Sequence, residues 1–302
     1  MTVSHASTTQ GLRSANLLGI GLTLLGVFMF AVNDVMGKWL VETYSVGQVL
    51  LLRSAAALVV LVPLMARERI TLQWPRQPGL HVVRVTFSTL EVACFYAAAA
   101  YLPLADVMTY YLAGPIYVAA IAVFWLGEKL GPKQVAVIGI GFVGVLIALR
   151  PSGETLTWPA LIAVAGSLFY AFLMIATRKL REARDTTLVL GQILGALLFG
   201  IVTAPFTWVA PSALDFAMLS LLGIVAMAAH MCINRALKIA PASVVAPYQY
   251  TLIVWAVVFG YLVFGDVLEL WTLVGAAVIC AAGLALLVVE RDAARRAQKQ
   301  GP

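Results

Sequence analysis

Apolar stretches about 20 residues long, separated by short polar connections, recur from one end of this chain to the other. Ten such windows fall near 16–38, 46–66, 81–101, 104–126, 134–149, 158–177, 187–209, 213–235, 244–264 and 270–289. A hydrocarbon core roughly 30 Å thick needs about 20 apolar residues per helix, so each window predicts a transmembrane α-helix. The fifth is short and leans on its flanks. No connection exceeds about 15 residues, which leaves no room for a soluble catalytic domain. The expected fold class is an all-α polytopic membrane protein, with residues 1–14 and 291–302 as polar tails.

The windows are not independent of one another. Residues 103–128 reappear, degenerate but ungapped, as 241–266: Pro103 falls on Pro241, Val107 on Val245, Tyr110 on Tyr248, Tyr117 on Trp255, and Gly127-Glu128 on Gly265-Asp266. A second register, shifted by 140, pairs Gly26 with Gly166, Ala31 with Ala171, Lys38 with Arg178 and Leu40 with Leu180. Two registers of nearly equal offset indicate a duplicated unit, with residues 15–150 as one repeat and 156–290 as the other. Five helices per repeat is an odd number, so the second copy enters the membrane from the opposite side. Inverted repeats around a midplane site are a recurrent architecture of secondary transporters, because equivalent halves can exchange inward-open and outward-open states.

Composition narrows the function classes. With 62% hydrophobic and 11% charged residues and a mean hydropathy of +0.95, the chain has under half the charge of an ordinary soluble domain. The net charge of +6 does not point to nucleic acid, because of where it sits. With the N-terminus inside, 16 of the 20 Lys and Arg residues fall on cytoplasmic segments and only Lys38 and Arg150 on the opposite side. Lys/Arg bias in short loops sets orientation, so both termini are expected in the cytoplasm, with the protein in the plasma (inner) membrane. Cys94, Cys232 and Cys280 all lie inside windows, so no disulfide framework is expected. No cofactor or metal site is expected either: His230 has no Cys, His or carboxylate neighbour at ligand spacing. The glycines at 139, 141 and 144 formally match a dinucleotide fingerprint, but no strand precedes them. They read as close helix packing. The expected partners are a small solute and the bilayer, with no nucleic acid and a monomeric state.

Polar residues inside the windows carry the candidate chemistry. Asp34 and Arg53 flank the first turn at similar distances, about 14 Å into the membrane at 1.5 Å per residue. They read as a structural ion pair or as part of the solute route. Glu91 lies near the midplane on a stripe with Arg84 and Ser88. An ionised carboxylate there costs at least a few kcal/mol unless paired or solvated. Glu91 is therefore a proton-coupling or amine-binding group, or a partner for Arg53 or Arg84. His230 is a helix–helix hydrogen bonder or a proton relay. Tyr110 and Tyr117, seven residues apart, recur as Tyr248 and Trp255, with Gln249 beside them. This stripe reads as helix packing or as two walls of one solute cavity. Pro115 predicts a kink in the fourth helix.

Ten helices in two repeats, each fourth helix ending in Gly127-Glu128 or Gly265-Asp266 and preceded by Leu-Pro-Leu-Ala-Asp or Ala-Pro-Ala-Ser, resemble the drug/metabolite transporter superfamily, EamA branch. The aromatic centre is similar to that of aromatic amino-acid exporters. The resemblance implies a central cavity built from helices 1, 3, 4, 6, 8 and 9, with helices 5 and 10 at the periphery. It implies that Tyr110, Tyr117, Tyr248 and Trp255 face this cavity. The implied activity is export of amino acids, aromatic ones included, and related metabolites. The alternative is import of a cofactor-like aromatic solute such as riboflavin or S-adenosylmethionine. No basic residue lies on the ninth helix, unlike the phosphate-binding members of the superfamily. A nucleophile–base pair is also lacking in the sequence, so an enzyme is not expected.

Overall fold

Inside a bilayer the backbone has no water to bond, so a chain this apolar satisfies its amides within helices. The structure, a computed structural model, describes residues 3–67, 77–126, 131–149, 157–180, 182–240, 246–267 and 269–299, and every regular element among them is helical. The helices are α1 (Val3–Val41), α2 (Val46–Arg67), α3 (Pro78–Ala99), α4 (Leu104–Leu112), α5 (Gly114–Leu126) and α6 (Pro132–Leu149) in the first half. The second half holds α7 (Trp158–Lys179), α8 (Asp185–Thr203), α9 (Ala213–Ile239), α10 (Thr251–Phe259) and α11 (Leu270–Lys299). Six helices among the described residues are long and apolar enough to cross a membrane alone, and shorter apolar helices cover Pro132–Ala148, Tyr248–Phe264 and Leu270–Leu286. Gly127, Glu128, Lys129, Arg150, Arg181 and the 151–156 and 241–245 stretches lie outside the described residues.

Among the described residues the fourth and ninth windows are interrupted, each beside a proline, and the seventh closes as a 3₁₀ turn at Ala204–Thr207. Residue 115 has no N–H to give the Tyr111 carbonyl. The helix therefore stops at Leu112 and restarts at Gly114, with the Ile116 and Tyr117 amides both bonded to the Ala113 carbonyl at 2.9 and 3.0 Å. The ninth window opens as a 3₁₀ turn at Ala246–Tyr250 around Pro247, runs as α10, and closes as a π turn at Gly260–Phe264. The Thr251 hydroxyl donates to the Tyr248 carbonyl at 2.6 Å, filling an acceptor that the irregular turn leaves open.

The packing repeats when the halves are exchanged. Helix α1 lies along α9 as α7 lies along α3; α2 touches α9 as α8 touches α3; α1 meets α10 as α7 meets α4 and α5. Three contacts map onto themselves: α2 with α8, α6 with α11, and α4 with α10. This is a bundle of two five-span repeats related by a pseudo-two-fold axis. The α6–α11 pair adjoins the second core cluster, and its outer faces carry exposed Ile140, Val143, Leu273 and Val274. Elsewhere Val59, Phe124, Leu198, Phe206 and Leu262 point outward, an apolar surface suited to lipid.

Candidate substrate site

Where α1, α2, α3 and α9 converge, the core turns polar. Gly223 of α9 sits directly against the Arg53 backbone carbonyl, and a Cβ there would collide with that oxygen. Glycine thus sets how closely α9 approaches α2 at this level. Arg53 Nη1 donates to the Tyr96 hydroxyl at 2.7 Å, and its guanidinium carbon lies 5.3 Å from the centre of the same ring. The Tyr96 hydroxyl donates to Asn33 Oδ1 at 3.2 Å, and Asn33 Nδ2 donates to the Leu222 carbonyl at 2.6 Å. One chain of hydrogen bonds therefore crosses α2, α3, α1 and α9, with Tyr96 only 1% exposed.

Asp34 and Glu91 flank this chain from α1 and α3, both half-buried. Among the described residues neither closes an ion pair with Arg53 within 4.0 Å. The expected direct Asp34–Arg53 salt bridge is thus corrected. Their matching depths bring the two near each other, but Arg53 takes the Tyr96 hydroxyl, which Asn33 holds in place, and gains the face of the ring as well. Arg84, the other expected partner for Glu91, is turned elsewhere. Its Nε donates to Thr177 Oγ1 at 2.8 Å and its Nη1 to the Leu188 carbonyl at 3.0 Å. One turn before Glu91, the Ser88 hydroxyl is fully buried and has no hydrogen-bond partner.

His230 bridges helices: its Nε2 lies 3.1 Å from Gln192 Nε2 on α8, and its ring packs edge-on to Phe30 of α1 with centroids 4.8 Å apart. Beside it a cavity of about 40 Å³ opens between α2, α8 and α9, with Arg53, Ser54, Gln192, Gly223 and His230 in its wall.

The two aromatic stripes fare differently. Tyr110 and Tyr117 are 6% and 3% exposed and lie in separate packed clusters. The Tyr117 ring rests on Phe142 of α6 at 5.4 Å. Trp255 is half-buried, edge-on to Phe28 of α1 at 4.9 Å and stacked on Phe259 at 5.6 Å. Tyr248 and Gln249 are half-buried in the 3₁₀ turn. The tyrosine of the fourth span that reaches the charged centre is Tyr111, whose hydroxyl donates to the Glu91 backbone carbonyl at 3.0 Å while its ring meets Phe95 at 5.4 Å. Sequence reasoning passed over it, although it occupies the repeat position of Gln249. Tyr96 was also missed as the partner of Arg53, and Asn33 as the partner of Tyr96; only a three-dimensional approach of α1, α2 and α3 brings them together.

One end of the bundle is tied shut by charge. Gly265 adopts φ 68°, a left-handed cap that costs an L side chain about 1 kcal/mol or more. The cap folds the chain back, with the Gly265 and Asp266 amides on the Tyr261 and Gly260 carbonyls at 3.1 Å. The Asp266 carboxylate thereby turns over the bundle to Lys38 at the end of α1, 2.7 Å away, and accepts a long bond (3.4 Å) from the Leu104 amide at the start of α4. The Lys38 ammonium also lies 4.4 Å from the centre of the Phe264 ring. The Gly-Asp ending of the ninth span is a device for delivering this carboxylate.

A helical bundle of two exchangeable halves, charged at its centre and tied at one end, defines a polytopic membrane transporter. The profile of the EamA-like transporter family matches residues 17–150 and again residues 157–289, and the chain belongs to that family, within the drug/metabolite transporter superfamily. It is 26% identical over 278 residues to the S-adenosylmethionine uptake transporter of Rickettsia bellii, covering 91% of this chain and 95% of the relative. It is 25% identical to the pseudopaline exporter of Pseudomonas aeruginosa, with 89% and 95% covered. It is 24% identical to the riboflavin transporter of Rhizobium johnstonii, with 95% of each chain covered. A solved crystal structure superimposes with a TM-score of 0.62 at 17% identity, covering 92% of this chain and 98% of the other, a likeness of fold. These relatives move small molecules and are not enzymes.

Proposed function

We propose that this protein is a secondary transporter that exports amino acids, aromatic ones included, and related small metabolites by alternating access. It would lie in the inner membrane with both termini cytoplasmic and the Lys38–Asp266 end outside. The observation that carries the reading is the centre itself: a guanidinium held by a tyrosine–asparagine chain, with two carboxylates close by and not paired to it. Such a group of charges costs several kcal/mol to bury, and a polar solute passing the midplane gives it a use. The half-buried Trp255 and Tyr248, with the exposed Phe28 edge-on to Trp255, lie on the α1–α10 side and can flank an aromatic side chain.

Relatives named as importers favour a second reading, uptake of S-adenosylmethionine, a molecule that ends in the same amino-acid head group. Direction separates the two. Cells expressing the protein and preloaded with labelled phenylalanine should release it faster than cells lacking it, with no gain in S-adenosylmethionine uptake. Uptake of S-adenosylmethionine without phenylalanine release would replace the first reading by the second.

A further inference from the structure

We infer that the site recognises the α-amino acid zwitterion itself, with Arg53 taking the carboxylate and the Glu91–Asp34 pair taking the ammonium; this rests on the transporter reading above. Riboflavin-like neutral aromatics fall outside this class.

Three observations carry the assignment. Arg53 is a cation with capacity to spare. Its guanidinium carries five N–H donors, and the bond to Tyr96 engages one nitrogen. Two other cations within the spans are committed elsewhere, Lys38 at the end of the bundle to Asp266 and Arg84 to Thr177 and the Leu188 carbonyl. Space exists next to Arg53: a cavity of about 40 Å³, whose wall includes Arg53 and Val92, the chain neighbour of Glu91, has room for a few water molecules. The Tyr96 and Asn33 bonds fix the direction of the guanidinium, so it is preorganised for a planar, bidentate acceptor.

The negative pole stands apart from the positive one. Asp34 and Glu91 come from α1 and α3, the helices that supply Asn33 and Tyr96, yet neither reaches Arg53 within 4.0 Å among the described residues. Carboxylates carried by the helices that hold Asn33 and Tyr96, yet unpaired with Arg53, suit a solute that carries both signs a few bonds apart. The unpartnered Ser88 hydroxyl one turn from Glu91 adds an unused polar group on that side. A neutral flat solute would displace water from these charges and replace none of their bonds, which is strongly unfavourable.

The test is competition against labelled phenylalanine in counterflow with proteoliposomes, using phenylalanine, its methyl ester and N-acetylphenylalanine as competitors. The ester lacks the carboxylate charge and the N-acetyl compound lacks the ammonium. Wild type should prefer phenylalanine over either analogue by about 30-fold or more. Arg53→Gln should lose the preference over the ester and keep that over the N-acetyl compound; Glu91→Gln should do the reverse, and Asp34→Asn should weaken the same preference. If Arg53→Gln fails to fold, Arg53→Lys should retain part of the preference over the ester, and the wild-type comparison stands by itself. Counterflow by wild type without preference over the ester or the N-acetyl compound overturns this inference and leaves the transporter reading intact. So does an Arg53 variant that keeps full preference over the ester. No phenylalanine counterflow at all overturns the amino-acid reading, and this inference with it.

Discussion

Replacing Asp266 by asparagine should open the end of the bundle that Lys38 and Asp266 hold together. The pair is short, 2.7 Å, with side chains 9% and 21% exposed. Exposed ion pairs contribute about 0–1 kcal/mol and breaking a buried one costs about 3–5. This pair lies between, and its asparagine variant keeps the Phe264 ring against the ammonium, so about 2 kcal/mol is the expected loss. That is about a 30-fold shift in the balance between closed and open forms. Cys94 is a built-in reporter: it is half-buried, and it lies beside Gly166, three residues from Glu91. In a background lacking Cys232 and Cys280, a membrane-impermeant thiol reagent applied from the Lys38–Asp266 face should modify Cys94 about 30-fold faster in Asp266→Asn than in the parent. The swap Lys38→Asp with Asp266→Lys should return the rate most of the way. Equal rates in parent and Asp266→Asn would show that the pair is ornament on a face closed by packing.

Other substitutions test the packing beneath the site. Gly265→Ala should cost about 1 kcal/mol through its left-handed backbone, lowering the unfolding temperature slightly and raising Cys94 modification, since the cap aims Asp266. Gly223→Ala must push α9 off the Arg53 carbonyl, so it should lower transport more than yield, measured as flux per folded molecule. Tyr117→Ala removes a buried ring and should cost about 3 kcal/mol of stability. Trp255→Ala should leave yield near normal and reduce transport of phenylalanine more than of threonine. Single cysteines at Ser152 and Arg184 should label from opposite sides of the membrane; same-side labelling would break the inverted-repeat topology.

The helices were legible because lipid imposes one simple rule on sequence, a run of apolar residues long enough to span. Their duplication was legible because 103–128 and 241–266 kept proline, tyrosine and glycine at fixed offsets. Pro115 announced the interruption of the fourth span, since a missing N–H is a local fact. The pairing at the centre was not local. Equal depth brought Asp34 near Arg53, but depth says nothing about rotation of α3, which places Tyr96 rather than a carboxylate against the guanidinium. The same holds for the fourth span: Tyr110 and Tyr111 are neighbours on α4 and face different ways, and it is the Tyr111 hydroxyl that reaches the Glu91 carbonyl. The alternation of spans put Lys38 on the non-cytoplasmic side, and the left-handed Gly265 that turns Asp266 toward it shows only in three dimensions.

The most direct measurement is counterflow by the purified protein in proteoliposomes loaded with unlabelled amino acids, offered labelled phenylalanine, S-adenosylmethionine and riboflavin in turn. A transporter built around a charged centre that reads an amino-acid head group should accumulate phenylalanine transiently above the level of empty vesicles, and should exchange riboflavin no faster than they do. Riboflavin exchange with none of phenylalanine would contradict the account at its centre.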